Sequence, residues 1–167
     1  MALYPGTALA RNADKYSLTA ALTLRIAKFI TWPDRPSIPA DRPFFIVGVM
    51  GSAHAQNAFA KFQGVLIKGL KFKTVSIDPS LAPHDIRRCH IVFSDSSTSS
   101  RIIDQMIGKS KGILTVHGPG SPTNPSACLK LTTTSGKIAF DIDLDLTRRA
   151  ALKIDVGIIK LARHVSR

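Results

Sequence analysis

Two junctions between an apolar run and a polar turn hold the side chains best suited to chemistry. In the first, Phe44-Phe45-Ile46-Val47-Gly48-Val49-Met50 breaks at Gly51-Ser52. A helix starting there would present free amides to an anion, which is where a dinucleotide fold sets its phosphate loop. The turn is not Gly-x-Gly-x-x-Gly and no Gly-Lys-Ser follows, so a plain strand-to-helix turn is expected. In the second, Cys89-His90-Ile91-Val92-Phe93 gives way to Ser94-Asp95-Ser96-Ser97-Thr98-Ser99-Ser100. That run supplies a helix N-cap or, as a minority reading, a small-anion seat. Ser52, Ser94, Ser96 and His117 would then line the strand-end crevice that open α/β sheets offer to ligands.

Other candidates are weaker. The five histidines lack a His-x-x-x-His spacing, so they read as structural or surface residues and no metal is expected. Asp141, Asp143 and Asp145 alternate and share one strand face, yet a calcium loop's glycine turn and terminal glutamate are missing. Asp141 and Asp143 therefore read as solvated strand residues and Asp145 as a helix cap. Cys89 and Cys128 leave two alternatives, a single disulfide in an exported chain or two buried thiols. No Gly-x-Ser-x-Gly elbow or catalytic carboxylate pair is present, so neither an enzyme nor a cofactor is expected.

Charge is the strongest compositional feature: 23 Lys and Arg against 11 Asp and Glu give a net +12 over 167 residues. Such a surface attracts anions, whether nucleic acid, an acidic partner or phospholipid headgroups. Lys68, Lys71 and Lys73 form one basic group, and Arg148, Arg149, Lys153, Lys160, Arg163 and Arg167 another. Nucleic-acid recognition would want aromatics interleaved with these for stacking, so a solvated basic surface is the expected reading. No apolar run approaches the ~20 residues of a membrane span, and Met-Ala-Leu-Tyr-Pro-Gly lacks the pattern of a signal peptide. The expectation is a soluble chain whose signal peptide has been removed.

The elements that must position these residues follow from periodicity. Leu18, Leu22, Ile26, Phe29 and Ile30 form one face of a helix over residues 16–31, and Pro33 stops it at Trp32. Residues 1–15 read as a partly flexible extension and 16–167 as one domain. Strands are expected at 44–50, 70–77, 89–93 and 112–116, with helices over 53–62 and 101–107. Alternating Lys71 and Lys73 suit a strand near a sheet edge. Cys128–Leu131 and Lys137–Ile142 should form a hairpin turning at Gly136, followed by helices capped by Asp145 and Asp155, the last ending near Val165. The sum is an α/β single-domain sandwich with a mixed central β-sheet flanked by helices, ending in a β-hairpin and helices.

Five segments resemble, in order, the YfiR-like family of bacterial periplasmic proteins. They are Leu-Arg-Ile-Ala-Lys-Phe-Ile-Thr-Trp-Pro, Phe-Phe-Ile-Val-Gly-Val-Met-Gly, Arg-Arg-Cys-His-Ile-Val-Phe-Ser, Gly-Ile-Leu-Thr-Val-His-Gly and the run from Lys137 to Ile154. The likeness covers about residues 18–165. It implies regulation by binding: a homodimeric periplasmic repressor of an inner-membrane diguanylate cyclase, hence of cyclic di-GMP and biofilm formation. An outer-membrane lipoprotein would sequester it, and Arg148, Arg149 and Lys153 are the candidate partner contacts. Redox-sensitive members carry four cysteines in two disulfides, whereas only Cys89 and Cys128 stand here. The alternatives are a small-molecule sensor using the crevice and a basic anion or nucleic-acid binder.

Overall fold

The structure is a computed structural model that describes residues 6–34, 44–80, 82–95, 105, 109–120 and 126–167, with side chains from Lys15 onward except at Ala82 and Pro83. Helix α1 (Gly6–Ala27) leads into β1 (Ile30–Thr31) and β2 (Phe44–Met50). Helix α2 (Ala53–Ala60), β3 (Leu66–Ile67), β4 (Leu70–Ser76), α3 (Ala82–Ile86), β5 (Ile91–Ser94) and β6 (Leu114–His117) follow. The hairpin β7 (Leu129–Thr134) and β8 (Lys137–Asp143) precedes α4 (Leu144–Arg149), β9 (Lys153–Ile154), α5 (Val156–Leu161) and β10 (His164–Ser166).

Eight strands form one mixed sheet in the order β10-β8-β7-β6-β5-β2-β4-β3, and β1 pairs with β9 in a separate two-stranded ribbon. The α/β class and the mixed sheet thus agree with the sequence. Strand β2 is parallel to both its neighbours, β4 on one side and β5 on the other. Phe45, Val47 and Val49 turn to the main core, and Met50 turns to a smaller one with Ile77, Ile86, Cys89, Val92 and Ile113. Burial on both faces is why this strand reads as a continuous apolar run. β4 lies one position from the edge, outside it only the short β3, as its lysines suggested. The β7–β8 turn is made by Ser135 and Gly136, both at positive φ (51° and 75°). Positive φ at both central residues is the turn whose twist matches a tight hairpin.

Helix α1 departs from expectation in length and in face. It begins at Gly6, ten residues before the expected start at residue 16, and ends at Ala27, short of Trp32. The buried face is Thr19, Ala20, Thr23, Leu24, Ile26 and Ala27, while Leu18 and Phe29 are each 46% exposed. The threonines can enter the core because each hydroxyl donates within its own helix, Thr19 to the Lys15 carbonyl and Thr23 to the Thr19 carbonyl, both at 2.8 Å. With those groups satisfied, burial leaves no orphan donor.

After α1 the chain extends as β1, whose Ile30 pairs with Ile154, and only then reaches Trp32. Its indole edge meets the Phe45 ring at 5.3 Å, and its Nε1–H donates to the His90 carbonyl at 3.2 Å. His90 stacks on Phe45 at 4.5 Å, and its Nδ1 accepts the Ile46 N–H at 3.1 Å. Trp32 thus locks the segment after α1 to the starts of β2 and β5.

The C-terminal end holds three corrections. Asp143, not Asp145, caps α4, its Oδ1 accepting the Leu146 N–H at 2.9 Å. Asp145 instead pairs with Arg148 at 2.7 Å, and Asp141 receives both Nε and Nη2 of Arg163. Neither Asp141 nor Asp143 is a free solvated carboxylate. Asp155 caps α5 as expected, bonding the Gly157 N–H at 2.7 Å, but that helix ends at Leu161 and residues 164–166 add β10 alongside β8. The Asp141–Arg163 pair holds this added strand in place. The expected helix over 101–107 lies, apart from Gln105, outside the described residues.

Replacing Trp32 with Phe keeps the aromatic packing and leaves the His90 carbonyl without its indole donor. Urea unfolding should show a loss of about 1 kcal/mol for W32F and a larger one for W32A, which also removes the edge contact with Phe45.

Candidate functional site

Because β2 sits between β4 and β5, the chain crosses from one side of β2 to the other, and a crevice opens beyond its C-terminal end. An open cleft of about 760 Å³ lies there, bounded by Tyr16, Ser52, Gln56, Ser76, Asp78 and Asp95 among others. Tyr16 arrives from α1, Ser52 and Gln56 from the start of α2, Ser76 and Asp78 from the end of β4, and Asp95 from the end of β5. Four separate elements therefore converge on one cleft.

Ser52 and Asp95 form its centre. The Ser52 hydroxyl accepts the Ala55 N–H at 3.3 Å and so caps α2. The same hydroxyl donates to Asp95 Oδ2 at 2.8 Å, and the Ser52 N–H donates to Asp95 Oδ1 at 3.1 Å. Asp95 is 9% exposed. A negative group at a helix N-terminus is stabilised by unpaired amides and by the helix dipole, so Asp95 behaves as a built-in ligand of α2. Burial pushes the Tyr16 hydroxyl above its ordinary pKa; bonding to Ser52 lowers it, and the nearby Asp95 carboxylate raises it. The Tyr16 ring stacks on His54 at 6.0 Å.

Of the residues singled out from sequence, Ser52 alone is seen to border the cleft. Ser94 and His117 are register partners at the ends of β5 and β6, but both are buried, 0% and 1% exposed, and neither bounds the cleft. Ser96 lies outside the described residues. Tyr16, Gln56, Asp78 and Asp95 were missed. Asp95 carried a legible signal, an acid one residue past a buried strand, and the others are joined only by the fold.

Neither Cys89 nor Cys128 is in a disulfide, and both are buried. They precede β5 and β7, and β6 runs between those strands. Two strand spacings alone put their backbones at least ~9–10 Å apart, beyond what a disulfide spans. Cys89 bonds the Asp85 carbonyl at 3.4 Å in the smaller core, while burial raises the Cys128 pKa in the larger one. The disulfide alternative is therefore corrected to two buried thiols. Among the described residues no group of three His, Cys, Asp or Glu side chains is arranged to hold a metal.

Arg148, Arg149 and Lys153 occupy the opposite end of the molecule. β8 runs antiparallel to the central strands, so α4, which follows it, lies near their starts; the Gly112 N–H ahead of β6 donates to the Ala150 carbonyl there at 2.6 Å. All three basic side chains are exposed.

The fold and the cleft define a single α/β domain with a polar crevice at a topological switch point. Residues 16–163 match the YfiR/HmsC-like family model, and the chain belongs to that family. Its members are periplasmic regulators of diguanylate cyclase signalling rather than enzymes. No curated protein matches the chain. Among the described residues no helix is long and apolar enough to cross a membrane.

Two measurements check the cleft. Ser52→Ala removes both a helix cap and an Asp95 donor and should lower stability by roughly 1–2 kcal/mol in urea. A tyrosine whose folded pKa is raised stabilises the fold below its unfolded pKa and loses that contribution as pH rises through the folded value. Ultraviolet titration should therefore show one phenol ionising later than free tyrosine, and Y16F should abolish that late step.

Proposed function

We propose that this chain is a periplasmic, non-enzymatic repressor that binds the periplasmic domain of an inner-membrane diguanylate cyclase. By that contact it sets cyclic di-GMP and hence biofilm formation. The observation that carries the reading is the family match over residues 16–163. The exposed Arg148, Arg149 and Lys153 are its proposed contacts, and the net charge of +12 favours an acidic partner surface. Capture by an outer-membrane lipoprotein and homodimerisation belong to the same proposal. No releasing role is proposed for a Cys89–Cys128 disulfide, since both cysteines are buried and not bonded to each other.

Deleting the gene should raise cellular cyclic di-GMP, and restoring the native chain should lower it again. A variant carrying R148E, R149E and K153E should fold normally and fail to restore it. An unchanged cyclic di-GMP level in the deletion strain would contradict the repressor reading.

The cleft favours a second reading, a sensor whose small ligand modulates the partner contact. Its volume of about 760 Å³ lies within the range of small-molecule sites, and switch-point crevices are where open α/β sheets bind ligands. A nucleic-acid role has less support, because among the described residues the one aromatic ring set against a β4 lysine is Phe44, under the Lys73 ammonium at 5.6 Å.

A further inference from the structure

Doubly wound sheets usually receive an anion at the helix start beyond the switch point. Here that seat is filled from within. The Asp95 carboxylate takes the Ser52 N–H at 3.1 and 3.3 Å and the Ser52 hydroxyl at 2.8 Å. The neighbouring backbone is shaped around it: a Cβ on Gly51 would stand 2.0 Å from Asp95 Oδ1. An incoming phosphate would find these donors already used and a buried carboxylate beside them.

The remaining wall points to the opposite charge. Among the described residues bounding the cleft, Asp78 and Asp95 are acidic and none is Lys or Arg, although the chain carries a net +12. Asp78 is exposed and held in a turn by the Ser80 N–H and hydroxyl, at 2.8 and 2.7 Å, bonds that depress its pKa and keep it ionised. Asp95 accepts from the Ser52 donors and from the Tyr16 hydroxyl, all neutral groups, so its charge is not met by a basic residue among those bounding the cleft. Tyr16 adds an aromatic ring, whose face attracts cations, and Ser76 and Gln56 add neutral oxygen acceptors.

We propose that the cleft binds a small organic cation, an ammonium or guanidinium compound, with Asp95 and Asp78 as counter-ions and Tyr16 beside it. This rests on the sensor reading and gives it a ligand class. The basic surface makes the cleft selective, since elsewhere the protein repels such a ligand.

Calorimetric titration of the full chain with agmatine, which carries both a guanidinium and an ammonium, tests the proposal at physiological salt, with inorganic phosphate titrated in parallel. The expected result is saturable uptake of agmatine, weakened about tenfold or more by D78N and by D95N, and no uptake of phosphate. D78N changes an exposed residue and keeps the test decisive if D95N does not fold. Agmatine uptake unaltered by D78N would overturn the proposed site. Phosphate uptake lost in S52A, without agmatine uptake, would overturn the cation class and leave the sensor reading standing. Failure of both probes to bind would overturn both.

Discussion

Burial of β2 on both faces is the constraint on which the rest of the structure depends. Val47 and Val49 are fully enclosed on the side of α1 and α2, and Met50 on the side of α3. Gly48 has no room for a side chain, since a Cβ would meet Ile77 Cδ1 at 2.1 Å and Cys89 Sγ at 2.8 Å. A strand so enclosed must have partners on both edges, and β4 and β5 supply them in parallel. That arrangement creates the switch point, places Ser52 and Asp95 at its lip, and leaves the cleft between them and the end of β4.

Helix α1 connects this cleft to the far end of the sheet. Tyr16 borders the cleft, and eleven residues later the helix ends at Ala27, a span of roughly 17 Å at 1.5 Å per residue. From there Ile30 pairs with Ile154 and Trp32 bonds His90, next to the ribbon that carries Lys153. The domain thus holds a polar recess at one end and an exposed basic surface at the other, joined by one continuous helix. In a family of regulators this geometry gives binding two distinct places to occur.

Much of this was legible in the sequence, for identifiable reasons. Strand β2 was visible because double-sided burial demands an unbroken apolar run, and the β7–β8 turn because Ser135-Gly136 tolerates positive φ. The resemblance to the family was carried by five segments, the first ending at Trp32-Pro33, and Trp32 proved to be an anchor on Phe45 and His90. What misled was local: Thr19 and Thr23 look polar, yet their hydroxyls are satisfied inside the helix, so the buried face is rotated from the leucine stripe. The C-terminal strand β10 was hidden because its position depends on Arg163 reaching Asp141 across 22 residues. The cleft was only half visible, since Tyr16, Ser52, Asp78 and Asp95 come together through topology and share no sequence motif.

The central claim is that this chain acts by binding a cyclase and not by chemistry of its own. The most direct measurement is the rate of cyclic di-GMP synthesis by membranes containing the cognate cyclase, titrated with the purified protein on the periplasmic side. The account predicts a saturable fall in rate as the protein is added, matched by its retention on those membranes. An undiminished rate at saturating protein, or retention equal on membranes lacking the cyclase, would contradict it.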